Sequence, residues 1–136
     1  MSNYEEEFDF GVECVKDAGK IIREAFNSAK KVTEKTGYND LVTETDQLVE
    51  ETLKTAISQK FPGSQWVFFA YFLTWKYSTF SRFIGEETAS EDGHCILTDS
   101  KTWVIDPIDG TTNFIHQNPQ ICTILAFLEN KVRIYV

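Results

Sequence analysis

Apolar residues recur at steps of three and four through the N-terminal part of the chain, at Phe8, Val12, Val15, Ala18, Ile22, Ala25, Phe26 and Ala29. That spacing lines one face of a helix and predicts a long one over 8–29. Lys30 and Lys31 follow it and suit the negative pole of a helix C-terminus. Gly37-Tyr38-Asn39-Asp40 is turn chemistry. A second helix is predicted to start near Thr43, with Asp46 three residues on in a capping-box-like arrangement. Val49, Leu53, Ala56 and Ile57 form its buried stripe, and Pro62-Gly63 ends it.

Beyond the helices the pattern changes to short apolar runs. Trp103-Val104-Ile105 is a strand that stops at Asp106, and Cys122 to Leu128 is another. Helices followed by strands predict a layered α and β architecture. Between the two halves lies a stretch of different texture, 65–81. It holds Trp66, Phe68, Phe69, Tyr71, Phe72, Trp75, Tyr77 and Phe80 and follows neither helix nor strand period. Its longest apolar run, Trp66 to Leu73, is far shorter than the roughly 20 residues that span a bilayer. The stretch is expected to lie outside the packed core.

At 136 residues the chain is the size of one domain. Its net charge of −8 argues against nucleic acid or an anionic membrane as partner. Cys14, Cys95 and Cys122 are odd in number and far apart, which fits a reducing compartment rather than a disulfide framework. Cys14 and Cys122 fall among apolar residues and are expected to be packing thiols. His94 and His116 are expected at the surface or behind the ligands of a site, rather than as metal ligands. The acidic N-terminus lacks the features of a signal peptide, so a cytoplasmic location is expected.

Candidate chemistry gathers where the first apolar run ends, in Trp103-Val-Ile-Asp106-Pro107-Ile108-Asp109-Gly110-Thr111-Thr112-Asn113-Phe114. With Pro107 at the second position of a tight turn, Asp106 and Asp109 would stand at its two ends. Two carboxylates and the Ile108 carbonyl are hard oxygen donors of the kind Mg²⁺ takes. Gly110 would let a ligand approach the backbone closely. Backbone amides of Gly110, Thr111 and Thr112 would face an anion such as phosphate. Asp-Pro and Asp-Gly are also favoured turn dipeptides with no chemistry attached. Phe83-Ile84-Gly85-Glu86-Glu87 is a second candidate, with a solvated turn as its plainer reading. Asp40-Leu-Val-Thr43-Glu-Thr-Asp46 is a third, and helix capping alone accounts for it. No nucleotide P-loop, zinc-protease or serine-hydrolase motif competes.

Taken together, DLVTETD at 40–46, FIGEE at 83–87 and WVIDPIDGTTNF at 103–114 resemble the inositol monophosphatase family of Mg²⁺-dependent phosphatases. The resemblance covers roughly 5–64 and 83–131. It implies an α+β layered sandwich of the sugar-phosphatase type, of which only the N-terminal half is present. It further implies that Glu86, Asp106 and the Ile108 carbonyl hold one Mg²⁺, and that Asp106 and Asp109 share a second. Gly110 and Thr111 amides would receive the phosphate of an inositol monophosphate, with Glu86, Ile108 and Asp109 also lining its place. Glu86 and Thr111 would orient a metal-activated water, with Asp46 accepting from Thr111 or from that water. A family-like homodimer is also implied.

The resemblance carries two departures. The family chain is about twice as long, and its second half brings a further metal-binding aspartate in a Trp-Asp-x-Ala motif that this sequence lacks. The family pattern runs almost directly from Ser64 into Phe83, so the 65–81 stretch has no counterpart in it. The expected function is therefore hydrolysis of inositol monophosphate to inositol and phosphate. The alternative is a catalytically incompetent product that binds metal or pairs with a homologue.

Overall fold

The computed structural model describes residues 4–29, 35–68, 99–130 and 132–135. The FIGEE segment, with Glu86, lies outside these residues, as do His94 and Cys95.

Helix α1 spans Glu5–Ala29, and its first turn carries Glu5, Glu6 and Glu7 against the positive N-terminal pole. Its buried face is the expected one at Ala18, Ile22 and Ala29, with Ala25 and Phe26 packed beside it, and departs from it toward the N-terminus. Glu7, Cys14, Ala18, Ile22 and Ala29 are buried, whereas Phe8 is 47% exposed. At that end Phe10 takes the inward place, meeting Phe61 and Trp103 edge-on at 5.1 and 5.7 Å between centroids. Beside it Gly11 leaves room for the Trp103 ring, which lies 3.5 Å from where a Cβ would stand. Glu7 is buried because Lys101 forms an ion pair with it.

Helix α2 spans Lys35–Lys60. It begins some eight residues before the expected start, and the presumed turn at 37–40 is helical. Thr43 and Asp46 therefore sit inside the helix and do not cap it. Val42, Thr45, Val49, Leu53 and Ile57 are buried at helical spacing, and that continuous stripe explains why the helix runs through a local turn signal. Thr45 returns its hydroxyl to the Leu41 carbonyl at 2.6 Å. The helix ends before Pro62-Gly63, as its sequence predicts.

Four strands form one sheet in the order β1 (Gln65–Phe68), β2 (Thr102–Asp109), β3 (Cys122–Glu129) and β4 (Val132–Tyr135). β1 runs parallel to β2, with Gln65 opposite Thr102 and Phe68 opposite Ile105. The first four residues of the aromatic stretch thus pair as a strand at one end of the sheet, while Gln65, Trp66 and Val67 are not among the buried core residues. Residues 69–81 lie outside the described residues. Lys54 stands over the Trp66 ring at 4.4 Å, covering part of a side chain that remains 37% exposed. β2–β3 and β3–β4 are antiparallel.

Helices and sheet share one core. Trp103, Ile105, Phe127, Val49, Leu53 and Ile57 are almost fully buried within it. Trp103 and Phe127 face each other across β2 and β3 at 4.8 Å. This mixed α/β arrangement on an open sheet delivers the end of β2, and whatever follows it, to one side of the molecule.

Candidate active site

The chemistry-bearing segment is strand where a tight turn was expected. β2 continues through Pro107 to Asp109. It can do so because its pairing with β3 slips by one residue there: Asp106 stands opposite Ile124, but Asp109 opposite Cys122. The slip is a bulge, and a bulge is where a strand tolerates a proline, which has no N–H for the ladder. The Pro107 carbonyl accepts a 2.8 Å hydrogen bond from the Thr123 hydroxyl. Side chains three apart on a regular strand point to opposite faces. The extra residue cancels that alternation and lets Asp106 and Asp109 act on one neighbourhood.

Electrostatics show the two carboxylates together. Asp106 is held above the ordinary carboxylate value of 3.8, first by burial, then by the negative charges of Asp109 and Asp46. Asp46 is raised too, by burial and then by Glu50, while the Ile108 backbone N–H turned toward it works the other way. α2 therefore brings Asp46 to the end of β2. Among the described residues no Lys or Arg forms an ion pair with Asp46, Asp106 or Asp109, and no hydrogen bond joins Asp46 to Thr111.

After Asp109 the chain turns through Gly110 into the short helix α3 (Thr111–Ile115). Gly110 has φ +90°, a left-handed conformation in which a side chain is strained. A Cβ there would also lie 2.9 Å from the Gln120 carbonyl oxygen. Glycine is needed here by the protein's own backbone, and not only for a ligand's approach. Phe114, fully buried and edge-on to Phe26 at 5.6 Å, anchors α3 to α1. Thr111 is exposed beside it.

Cys122 corrects another expectation. It opens β3 as an exposed residue, with its sulfur 3.9 Å from the Asp109 carboxylate, and is not a packing thiol. The roles of Thr123 and of the Asn113 side chain had no sequence signal beyond Asn113's place in the motif. His116 is exposed, as expected.

The model of the inositol monophosphatase family matches residues 3–68 and 75–135. The chain belongs to the inositol monophosphatase family. That family is one of phosphoric monoester hydrolases. Its match runs through β1 and breaks only between 68 and 75, a shorter interruption than the 65–81 stretch. The chain is 40% identical to inositol monophosphatase 2 of Homo sapiens over 124 residues, covering 91% of this chain and 37% of the relative. Against inositol monophosphatase 3 of Solanum lycopersicum it is 40% identical over 127 residues, covering 93% and 41%. The chain thus spans about two-fifths of these relatives' length. Among solved structures, inositol monophosphatase II of Staphylococcus aureus has a TM-score of 0.64 at 24% identity, covering 92% of this chain and 38% of that one. The Anabaena inositol monophosphatase has a TM-score of 0.63 at 22% identity, covering 98% and 37%. Both likenesses show the fold.

Proposed function

We propose that this chain carries the metal- and phosphate-facing part of a Mg²⁺-dependent phosphatase acting on inositol monophosphate, within a sandwich of the sugar-phosphatase type. The supporting observation is the bulge that sets Asp106 and Asp109 in one negative neighbourhood with Asp46. Three carboxylates without a described cationic partner are hard oxygen donors that suit Mg²⁺ in kind. Among the described residues no three His, Cys, Asp or Glu form a group able to hold a metal by themselves. Glu86 is proposed as the further ligand.

In this reading Glu86, Asp106 and the Ile108 carbonyl would hold one ion, and Asp106 with Asp109 would hold the other. Bound Mg²⁺ supplies Lewis acidity toward the phosphoryl oxygens and a lowered pKa for water. The Gly110 and Thr111 amides orient the phosphate oxygens. Glu86 and the Thr111 hydroxyl would orient the attacking water, with Asp46 accepting from Thr111 or from that water.

Phosphate release from inositol 1-phosphate in millimolar Mg²⁺ tests this, using the chain extended by the remaining segment of a relative. Asp106→Asn is expected to lower turnover at least about a thousandfold, because one shared carboxylate serves both ions. Near-normal turnover by that variant would remove the two-ion reading. A second reading, a protein that binds metal or pairs with a homologue without catalysis, draws support from the two-fifths coverage. Absence of turnover from the extended chain would favour it.

A further inference from the structure

Asp109 and Cys122 are partners across the sheet, so the intervening chain closes a ring: Gly110, α3, and a return loop through 116–121. The Asn113 side chain spans this ring. The Asn113 carboxamide donates from Nδ2 to the Gln120 carbonyl at 2.8 Å. Its backbone carbonyl accepts from the Asn118 N–H, also at 2.8 Å. Asn118 then accepts from the Gln120 N–H at 3.1 Å, tying the loop to itself. The carbonyl that Asn113 grips is the one that crowds Gly110, 2.9 Å from where its Cβ would be. The Asn113 Nδ2 atom is 3.4 Å from that same point. Gly110 is left-handed and has no side-chain cap of its own. The loop also carries Gln117 at φ 58°, a strained conformation that surrounding contacts must hold.

We propose that Asn113 is a positioning residue for the turn Asp109-Gly110-Thr111. By holding the Gln120 carbonyl against Gly110, its carboxamide sets the direction of the Gly110 and Thr111 amides beside the Asp109 carboxylate. The proposal rests on the phosphatase reading above, which makes those groups the ones that face a phosphate. Phe114 anchors α3 independently, through its buried ring against Phe26. Loss of the Asn113 carboxamide should therefore disturb the turn and leave the helix docked.

The test uses the ¹⁵N-labelled 136-residue chain, with Asn113→Ala and the nearly isosteric Asn113→Asp, which places an acceptor where the donor was. Inorganic phosphate is titrated in millimolar Mg²⁺ while the Gly110 and Thr111 amide signals are followed. Backbone couplings of Gly110 report its φ, and the Phe114 signals report the docking of α3. Both variants are expected to keep the Phe114 signals, to lose the single left-handed state of Gly110, and to bind phosphate roughly tenfold or more weakly. Unchanged Gly110 couplings and phosphate affinity in both variants would overturn the proposal while leaving the phosphatase reading intact. Equal loss of the Phe114 signals would also overturn it, by showing a general structural role. Lack of any phosphate response in the unsubstituted chain would overturn the proposal alone, because the phosphatase reading is tested by turnover of the extended chain.

Discussion

Two cysteines on this chain have opposite surroundings, and thiol chemistry distinguishes them. Burial pushes the Cys14 thiol from its ordinary 9.0 up to about 11, with Asp17 and Glu13 adding to the shift. Cys122 is also raised, by burial first and then by the charges of Asp109 and Asp106, but it is exposed. Only the thiolate is nucleophilic, so at pH 8 iodoacetamide is expected to modify Cys122 well before Cys14. Peptide mapping checks this, and urea should abolish the difference. The sign of the linkage follows. Between pH 9 and about 11 the unfolded Cys14 releases its proton first, so its contribution to stability is present below pH 9 and fades as pH rises. Asp106 and Asp109 were legible as a candidate site because a long motif carried them. Cys122 was not, since an apolar run follows it in sequence and only the pairing with Asp109 reveals its exposure.

The elements differ in how much of them local sequence contains. Both helices were visible because a period of 3.6 is written in neighbouring residues. The start of α2 was missed because burial of Val42 and Thr45 outweighs the turn preference at 37–40, and burial is a property of the partner surface. β1 and the bulge at Pro107 escaped for the same reason: one depends on a parallel strand far along the chain, the other on a slip against β3. α3 is too short to be stable by propensity, so its place depends on Phe114. Phe114→Ala removes a fully buried ring from between α3 and α1 and is expected to cost about 3–5 kcal/mol of unfolding free energy. Urea denaturation measures that loss. A change below about 1 kcal/mol would mean that α3 is held by its neighbours and not by its aromatic anchor.

At the scale of the whole molecule, donor geometry and coverage point the same way. The carboxylates Asp46, Asp106 and Asp109 come from α2 and the end of β2 alone and share one electrostatic neighbourhood. A pair of ions serving an in-line displacement needs ligands and walls around the reacting phosphate as well as behind it. Mg²⁺ also gives up its water reluctantly when a site offers few anchors. The chain aligns with 37% of the human relative's length and 41% of the tomato relative's. The 136-residue chain by itself is therefore expected to hydrolyse inositol 1-phosphate poorly or not at all in millimolar Mg²⁺. The same chain extended by a relative's remaining segment should turn the substrate over at least about a hundredfold faster, the scale of one lost Lewis-acid contact. Parallel phosphate-release assays on the two proteins decide the matter. Equal rates would place every indispensable ligand within residues 1–136 and would overturn the assignment of the second ion to donors beyond Asp106 and Asp109.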